Sequence, residues 1–252
     1  MYPVLFHWGL HPVASYTVVM AGTLALAFGW LARQQRRGRD GALDIGWLAV
    51  IVGIAGARLV YVWVNSEYYS ERWLRVLDLR DGGLSWYGGL LAGLLALLVL
   101  GWPNEGPRPE PSLARLQRRL ELLTTPLAIG ILGGWLACLL AGCAYGLAID
   151  PPQRFYTPDW PDNFGVLAFR LPSQAFGLLL GLLLLARPLR RHPGLWLIVL
   201  GLGQFGIGWT RGDLTLTWGP LHASQWLDLG IVLFGLVLVA RSRRSAAQPA
   251  SQ

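Results

Sequence analysis

The 252-residue chain is 54% hydrophobic and only 14% charged, with a mean hydropathy of +0.43. An average soluble domain carries about 25% charged residues, so this composition excludes an ordinary soluble globular fold and predicts a polytopic membrane protein. The net charge of +7 comes from arginine alone, since the chain has no lysine; the arginines cluster between apolar runs, which speaks for orientation in a bilayer rather than for nucleic-acid binding.

The first stretch, 1–12, is short and apolar and lacks the basic region and small-residue cleavage site of a signal peptide. A spanning helix needs about 20 mostly apolar residues. Candidate spans follow at about 13–32, 43–64, 84–102, 120–147, 172–186, 194–209 and 222–240. The fifth and sixth are short enough to tilt or re-enter. Between the second and third lies a polar, aromatic stretch with Glu67, Tyr68, Tyr69 and Trp73, and between the third and fourth a Pro-rich basic loop. The longest loop, 150–170, carries Pro151, Pro152, Pro158, Pro161 and the Asp162-Asn163 pair, turn chemistry that rules out a helix through it.

Loops after spans one, three, five and seven hold 14 of the 21 arginines. The positive-inside rule then places the N-terminus outside and the C-terminus in the cytoplasm, which an odd number of spans allows. The expected fold is therefore an all-α bundle of about seven transmembrane helices. No internal repeat is visible, which weighs against an inverted-repeat transporter of small solutes.

The most small-residue-rich apolar run is 133–146, with glycines at 133, 134, 142 and 146. So little side chain lets a neighbouring helix or a lipid approach the backbone closely, and suits the centre of a bundle. Cys138 and Cys143 both lie in this run. On one continuous helix a spacing of five sets them about 140° apart, so no bond between them is expected and they supply no disulfide framework.

Arg58 is the clearest polar anomaly, an ionisable residue inside a span. It either faces the interior and holds a lipid phosphate, with Tyr61 and Asn65 beside it, or snorkels to the interface. The stretch 81–89, Asp-Gly-Gly-Leu-Ser-Trp-Tyr-Gly-Gly, brackets a polar-aromatic turn with glycine pairs that either cradle an anion or simply turn the chain. Pro172-Ser173-Gln174 opens a helix and adds donors. Arg211-Gly212-Asp213 offers a surface ion pair, and Gln225 an interhelical hydrogen bond. His7, His11, His192 and His222 are scattered, with no spacing that suits a metal, and no cofactor is called for.

Taken together these pieces resemble the bacterial prolipoprotein diacylglyceryl transferase family. The likeness runs through the opening Met1-Tyr2-Pro3-Val4-Leu5-Phe6 and Ser15-Tyr16, the Gly56-Ala57-Arg58-Leu59-Val60-Tyr61 stretch with Asn65, the Asp-Gly-Gly-x-Ser loop from Asp81, the signature helix 133–146, Pro172-Ser173-Gln174, Arg211-Gly212-Asp213 and Ser224-Gln225. The resemblance implies transfer of the diacylglyceryl group of phosphatidylglycerol to the lipobox cysteine of a prolipoprotein, in the bacterial plasma membrane. It also implies a transferase-like domain at 1–240; the basic stretch 241–252, rich in Ser, Ala, Pro and Gln, is expected to be a disordered cytoplasmic tail. Head-group contacts would come from Arg58, Asn65, Arg211, Ser173, Gln174 and Gly142. Trp135 and Gln204 join this set at positions where the family carries arginine, while Gly177 and Gly208 replace acids. Tyr87 and Tyr16 are the candidates for proton handling or lipid positioning. The exchanged arginines also raise a second reading, a relative that keeps the lipid-binding fold as a scaffold without turnover.

Overall fold

The computed structural model describes residues 3–9, 11–78, 83–99, 112–149, 159–162, 164–213 and 216–247. Helix dominates. The main helices are α1 (Ser15–Arg36), α2 (Ala42–Val64), α4 (Trp86–Val99), α5 (Ser112–Ala141), α6 (Ser173–Leu184), α8 (Pro193–Gly208) and α9 (Ala223–Ala247). Two short helices, α3 (Ser66–Ser70) and α7 (Arg187–Arg190), and a 3-10 turn at Trp73–Leu77 connect them. Four stretches, Ser15–Arg36, Ala42–Val64, Leu116–Ala141 and Ala223–Arg243, are long and apolar enough to cross a membrane; Trp86–Ala96, Ser173–Leu184 and Pro193–Gly208 are shorter and apolar. The chain is thus built as a multi-pass membrane protein.

Three features depart from the sequence reading. First, the described residues are not all-α. Antiparallel hairpins join β1 (Val4–Trp8) to β2 (His11–Ala14), β3 (Asp159–Pro161) to β4 (Leu167–Phe169), and β5 (Thr217–Trp218) to β6 (Leu221–His222). Second, the fourth span does not run to 147, because α5 stops at Ala141. Third, helix continues past 240 into the stretch expected as a disordered tail. Residues 241–247 are good or neutral helix formers, and the Ser242 hydroxyl donates to the Leu238 carbonyl one turn earlier, at 2.9 Å. Residues 248–252 lie outside the described residues.

The described chain gathers into two compact units, Met1–Trp30 with Leu120–Gln252, and Leu31–Arg119. In the first, helices meet through glycine. A Cβ on Gly133 of α5 would stand 2.0 Å from Thr23 Oγ1 of α1, one on Gly203 of α8 would stand 2.5 Å from Leu180 Cδ1 of α6, and one on Gly235 of α9 would stand 2.6 Å from the Gly194 carbonyl of α8. Lipid tails are as apolar as leucine, so such van der Waals fit holds helices together where hydrophobic burial does not. Trp196 of α8 is 1% exposed, and its indole N–H donates to the Leu184 carbonyl at the end of α6 at 3.0 Å, which satisfies its polar edge. Around Pro126, inside α5, Arg190 Nη1 of α7 donates to the Thr125 hydroxyl at 2.9 Å. In the second unit α2 and α4 approach through Gly56 and Gly88, where an added Cβ would lie 2.1 Å from Ala92 Cβ and 2.7 Å from the Gly56 carbonyl respectively.

Candidate active site

The signature run breaks where α5 ends. Gly142 takes a left-handed φ of +83°, which glycine adopts without steric cost. The N–H groups of Gly142 and Cys143 then both turn back to the Cys138 carbonyl, at 2.8 and 3.1 Å. This is a Schellman-type cap, in which the third residue from the helix end commonly touches the second residue beyond it. Here those two residues are Cys138 and Cys143, with Cα atoms 4.6 Å apart, and they form a disulfide. The expectation of no bond assumed that helix continued through both cysteines; the turn at Gly142 removes the angle between them. Ala144, next along, also has a left-handed φ, of +51°, the one non-glycine positive φ among the described residues.

Beyond the turn, 145–149 runs extended between two other segments. On one side Leu147 N–H donates to the Thr210 carbonyl and Gly212 N–H to the Tyr145 carbonyl, each at 2.9 Å. On the other, Ile149 N–H donates to the Phe169 carbonyl at 2.9 Å and Leu171 N–H to the Leu147 carbonyl at 3.0 Å. The end of α5, the entry to α6 and the exit of α8 are thereby laced together around Gly146. That position admits no side chain, since a Cβ there would fall 1.9 Å from the Leu171 carbonyl and 2.9 Å from Ser173 Oγ.

Several expected residues meet here. Ser173, fully buried, donates to the Thr210 carbonyl at 2.8 Å, and its Oγ lies 2.9 Å from Thr210 Oγ1. Gln174 is 1% exposed and donates through Nε2 to the Cys143 carbonyl at 3.0 Å. Arg211 makes a two-point ion pair with Asp213, through Nε to Oδ1 at 2.8 Å and through Nη2 to Oδ2. Trp135 is buried, its ring seated on Gly177 of α6, where a Cβ would lie 2.0 Å from Trp135 Cδ2. Gln204 is half-buried on α8, and Tyr16 is exposed at the start of α1. Gln225 bridges elements, accepting the His222 N–H at 3.0 Å and donating to the Phe205 carbonyl at 3.2 Å.

The sequence reading did not single out Arg170, Thr210 or Asp228; it read Asp162 only as turn chemistry and Tyr145 only as part of the run 133–146. Arg170 is 9% exposed; its Nη2 pairs with Asp162 Oδ2 at 2.9 Å, its Nη1 reaches the Gly146 carbonyl at 3.4 Å, and its guanidinium stacks on the Tyr145 ring at 4.5 Å. Asp162 in turn accepts the N–H groups of Phe164 and Val166 at 2.8 and 3.0 Å, which closes the β3–β4 turn. An arginine immediately before Leu-Pro-Ser-Gln was the available signal. Asp228, 1% exposed, carries the one carboxyl of α9, and that alone singles it out in a membrane helix.

Arg58 and Asn65 belong to the other unit and are fixed by its own backbone. Arg58 is 5% exposed. Its Nε donates to the Val76 carbonyl at 2.8 Å, Nη1 to Gly83 at 3.1 Å, and Nη2 to Arg75 and Asp78, both at 2.7 Å. Its guanidinium also lies 5.9 and 5.3 Å from the ring centres of Tyr61 and Tyr69. Asn65 caps α2, its Nδ2 donating to the Tyr61 carbonyl at 2.8 Å. Ser85 caps α4, its hydroxyl accepting the Gly88 N–H at 3.3 Å, and Tyr87 stands half-buried in the first turn. Asp81 and Gly82 of the glycine-pair stretch lie outside the described residues. Among the described residues no three His, Cys, Asp or Glu side chains gather as a metal-ligand set.

A family model described as prolipoprotein diacylglyceryl transferase matches residues 3–241. Three similar proteins carry the name phosphatidylglycerol–prolipoprotein diacylglyceryl transferase. That of Streptococcus mutans is 28% identical over 267 residues, covering 98% of this chain and 97% of its own. That of Idiomarina loihiensis is 28% identical over 266 residues, with 96% and 93% covered. That of Lactococcus lactis subsp. lactis is 30% identical over 260 residues, with 94% and 90% covered.

Proposed function

The chain belongs to the prolipoprotein diacylglyceryl transferase family, and on that premise we propose that it moves the diacylglyceryl group of phosphatidylglycerol onto the lipobox cysteine of a prolipoprotein. The cysteine sulfur, as thiolate, forms a bond to the glycerol carbon that carries the phosphate. The carbon–oxygen bond breaks and glycerol phosphate leaves with the charge, which fixed donors must stabilise. The observation that carries this reading is the match along almost the whole chain, with the matched stretches Gly142–Gly146, Ser173-Gln174 and Arg211–Asp213 converging on one glycine. It favours the transferase over a scaffold without turnover.

The geometry supports a division of labour. Arg211, Ser173, Gln174 and Gly142, with Trp135 and Gln204 on the flanking helices, form the surround of the head group. Arg58 and Asn65, which the resemblance gives as head-group contacts, fix the backbone of their own unit. Tyr87 and Tyr16 handle protons or position lipid. We assign seven spans from the four long and three short apolar helices, an N-terminus outside, a cytoplasmic C-terminus, and placement in the bacterial plasma membrane. The transferase domain occupies 1–240, with the basic end of α9 as its cytoplasmic extension. In that orientation the Cys138–Cys143 bond falls on the outer side, where an oxidising compartment maintains disulfides.

The test is chemical. In cells depleted of their own transferase, expression of this protein is expected to restore a thioether-linked diacylglyceryl group on the cysteine of a reporter lipoprotein, read by mass spectrometry. A reporter that keeps an unmodified cysteine overturns the assignment.

A further inference from the structure

We propose that the Cys138–Cys143 disulfide is a positioning brace for the site, one that makes the reaction sensitive to thiol reductants. The inference rests on the transferase reading for its kinetic arm only. Within the turn 142–144 two residues are left-handed, Gly142 at +83° and Ala144 at +51°. Glycine carries this conformation freely, but alanine does not, because its Cβ crowds the following carbonyl. Such a residue persists only where its surroundings over-determine it. Four fixings do so here: the disulfide itself, the two N–H groups returned to the Cys138 carbonyl, the Gln174 amide on the Cys143 carbonyl, and the pairing of Tyr145 and Leu147 with 210–212.

What the turn delivers is the segment that the site is built on. Tyr145 lies under the Arg170 guanidinium, the Gly146 carbonyl receives Arg170 Nη1, and the Gly146 backbone lies against Gly212, beside Arg211, where a Cβ on Gly212 would stand 2.7 Å from the Gly146 carbonyl. A small displacement of 143–146 therefore moves both guanidinium groups and the Ser173-Gln174 pair relative to one another. Both cysteines are only half-buried, so a small reductant reaches them. Reduction by a dithiol such as dithiothreitol transfers two electrons and two protons to the protein and leaves the reagent as its cyclic disulfide. The freed thiols no longer hold Cys138 against Cys143, and Ala144 is free to leave its left-handed conformation. The helices themselves keep their glycine-mediated packing, so the fold survives while the site loosens.

The 252-residue chain in detergent micelles tests this by three readings. Alkylation under denaturing conditions is expected to add no label to the protein as isolated and two labels after reduction. Hydrogen exchange is expected to quicken at least tenfold in 143–149 and 169–171 on reduction, with α5, α6, α8 and α9 unchanged. The rate of diacylglyceryl transfer is expected to fall at least tenfold in kcat, with the melting temperature shifted by only a few degrees, and to return on reoxidation. The Cys138→Ser, Cys143→Ser double variant should reproduce the reduced state, and adding Ala144→Gly to it should recover part of the lost rate, since glycine restores the left-handed turn without the brace. Two free thiols in the protein as isolated, or unchanged exchange in 143–149 after reduction, overturn the proposal. Quickened exchange with no transfer by the oxidised protein supports the brace and counts against the transferase reading instead.

Discussion

A guanidinium offers five N–H donors in a fixed plane, and Arg58 points four hydrogen bonds at the carbonyls of residues 75, 76, 78 and 83 while it faces two tyrosine rings. That arrangement organises a loop. Removing the side chain takes a charged donor from several half-buried carbonyls. Arg58→Ala is therefore expected to lower stability by about 1–3 kcal/mol, and Arg58→Lys to recover less than half of it, because an ammonium cannot span four acceptors in one plane. Equilibrium unfolding of the detergent-solubilised protein, with protease cleavage within 71–83 as a local readout, measures this. Wild-type stability in Arg58→Ala would sink the loop-organising role. The sequence displayed Arg58 as an anomaly because a charge in an apolar run is visible without a structure. Its partners were not, since backbone carbonyls carry no signature in residue type. Arg170 was missed for the opposite reason: inside a polar loop one more arginine is unremarkable, and only the pairing of 148 with 170 sets it on Tyr145.

Between elements, the fit of α5 to α6 turns on an exchange of bulk. Trp135 covers Gly177 so closely that a methyl group there would meet the indole at 2.0 Å. By resemblance these positions hold an arginine and an acid in the family; here a large ring lies on a bare backbone. Gly177→Ala alone is expected to cost about 1–3 kcal/mol by overpacking. In a Trp135→Ala background the same change should cost under about 1 kcal/mol, the coupling being the signature of direct contact. A double-mutant cycle on unfolding free energies reads it, and strict additivity would show that the two residues act independently. The helices were legible at this scale because apolar length alone reports a span. The hairpins were not. Strands of two to five residues, such as Thr217–Trp218 against Leu221–His222, owe their conformation to the partner across the turn. The end of α5 was missed because the run stays apolar past Ala141, and nothing in hydrophobicity marks where a glycine reverses the chain.

For the whole molecule, charge predicts an orientation, and redox chemistry offers a second line of argument. Arginines stand 14 to six across alternate loops, and each one near an anionic membrane surface is worth about 1 kcal/mol, so the asymmetry outweighs any single loop. It predicts a cytoplasmic end for α9 and an outer location for the turn 142–146. A disulfide is stable on the outer side and rare on the cytoplasmic one, so the cysteine pair predicts the same side without reference to arginine. In spheroplasts treated first with a reductant, a membrane-impermeant maleimide should therefore label Cys138 and Cys143 from outside, while a cysteine introduced at Ser245 near the end of α9 should react only after lysis. Labelling of Ser245→Cys in intact spheroplasts would invert the topology. It would also place the turn, and every residue laced to it, on the side where the bond would not persist.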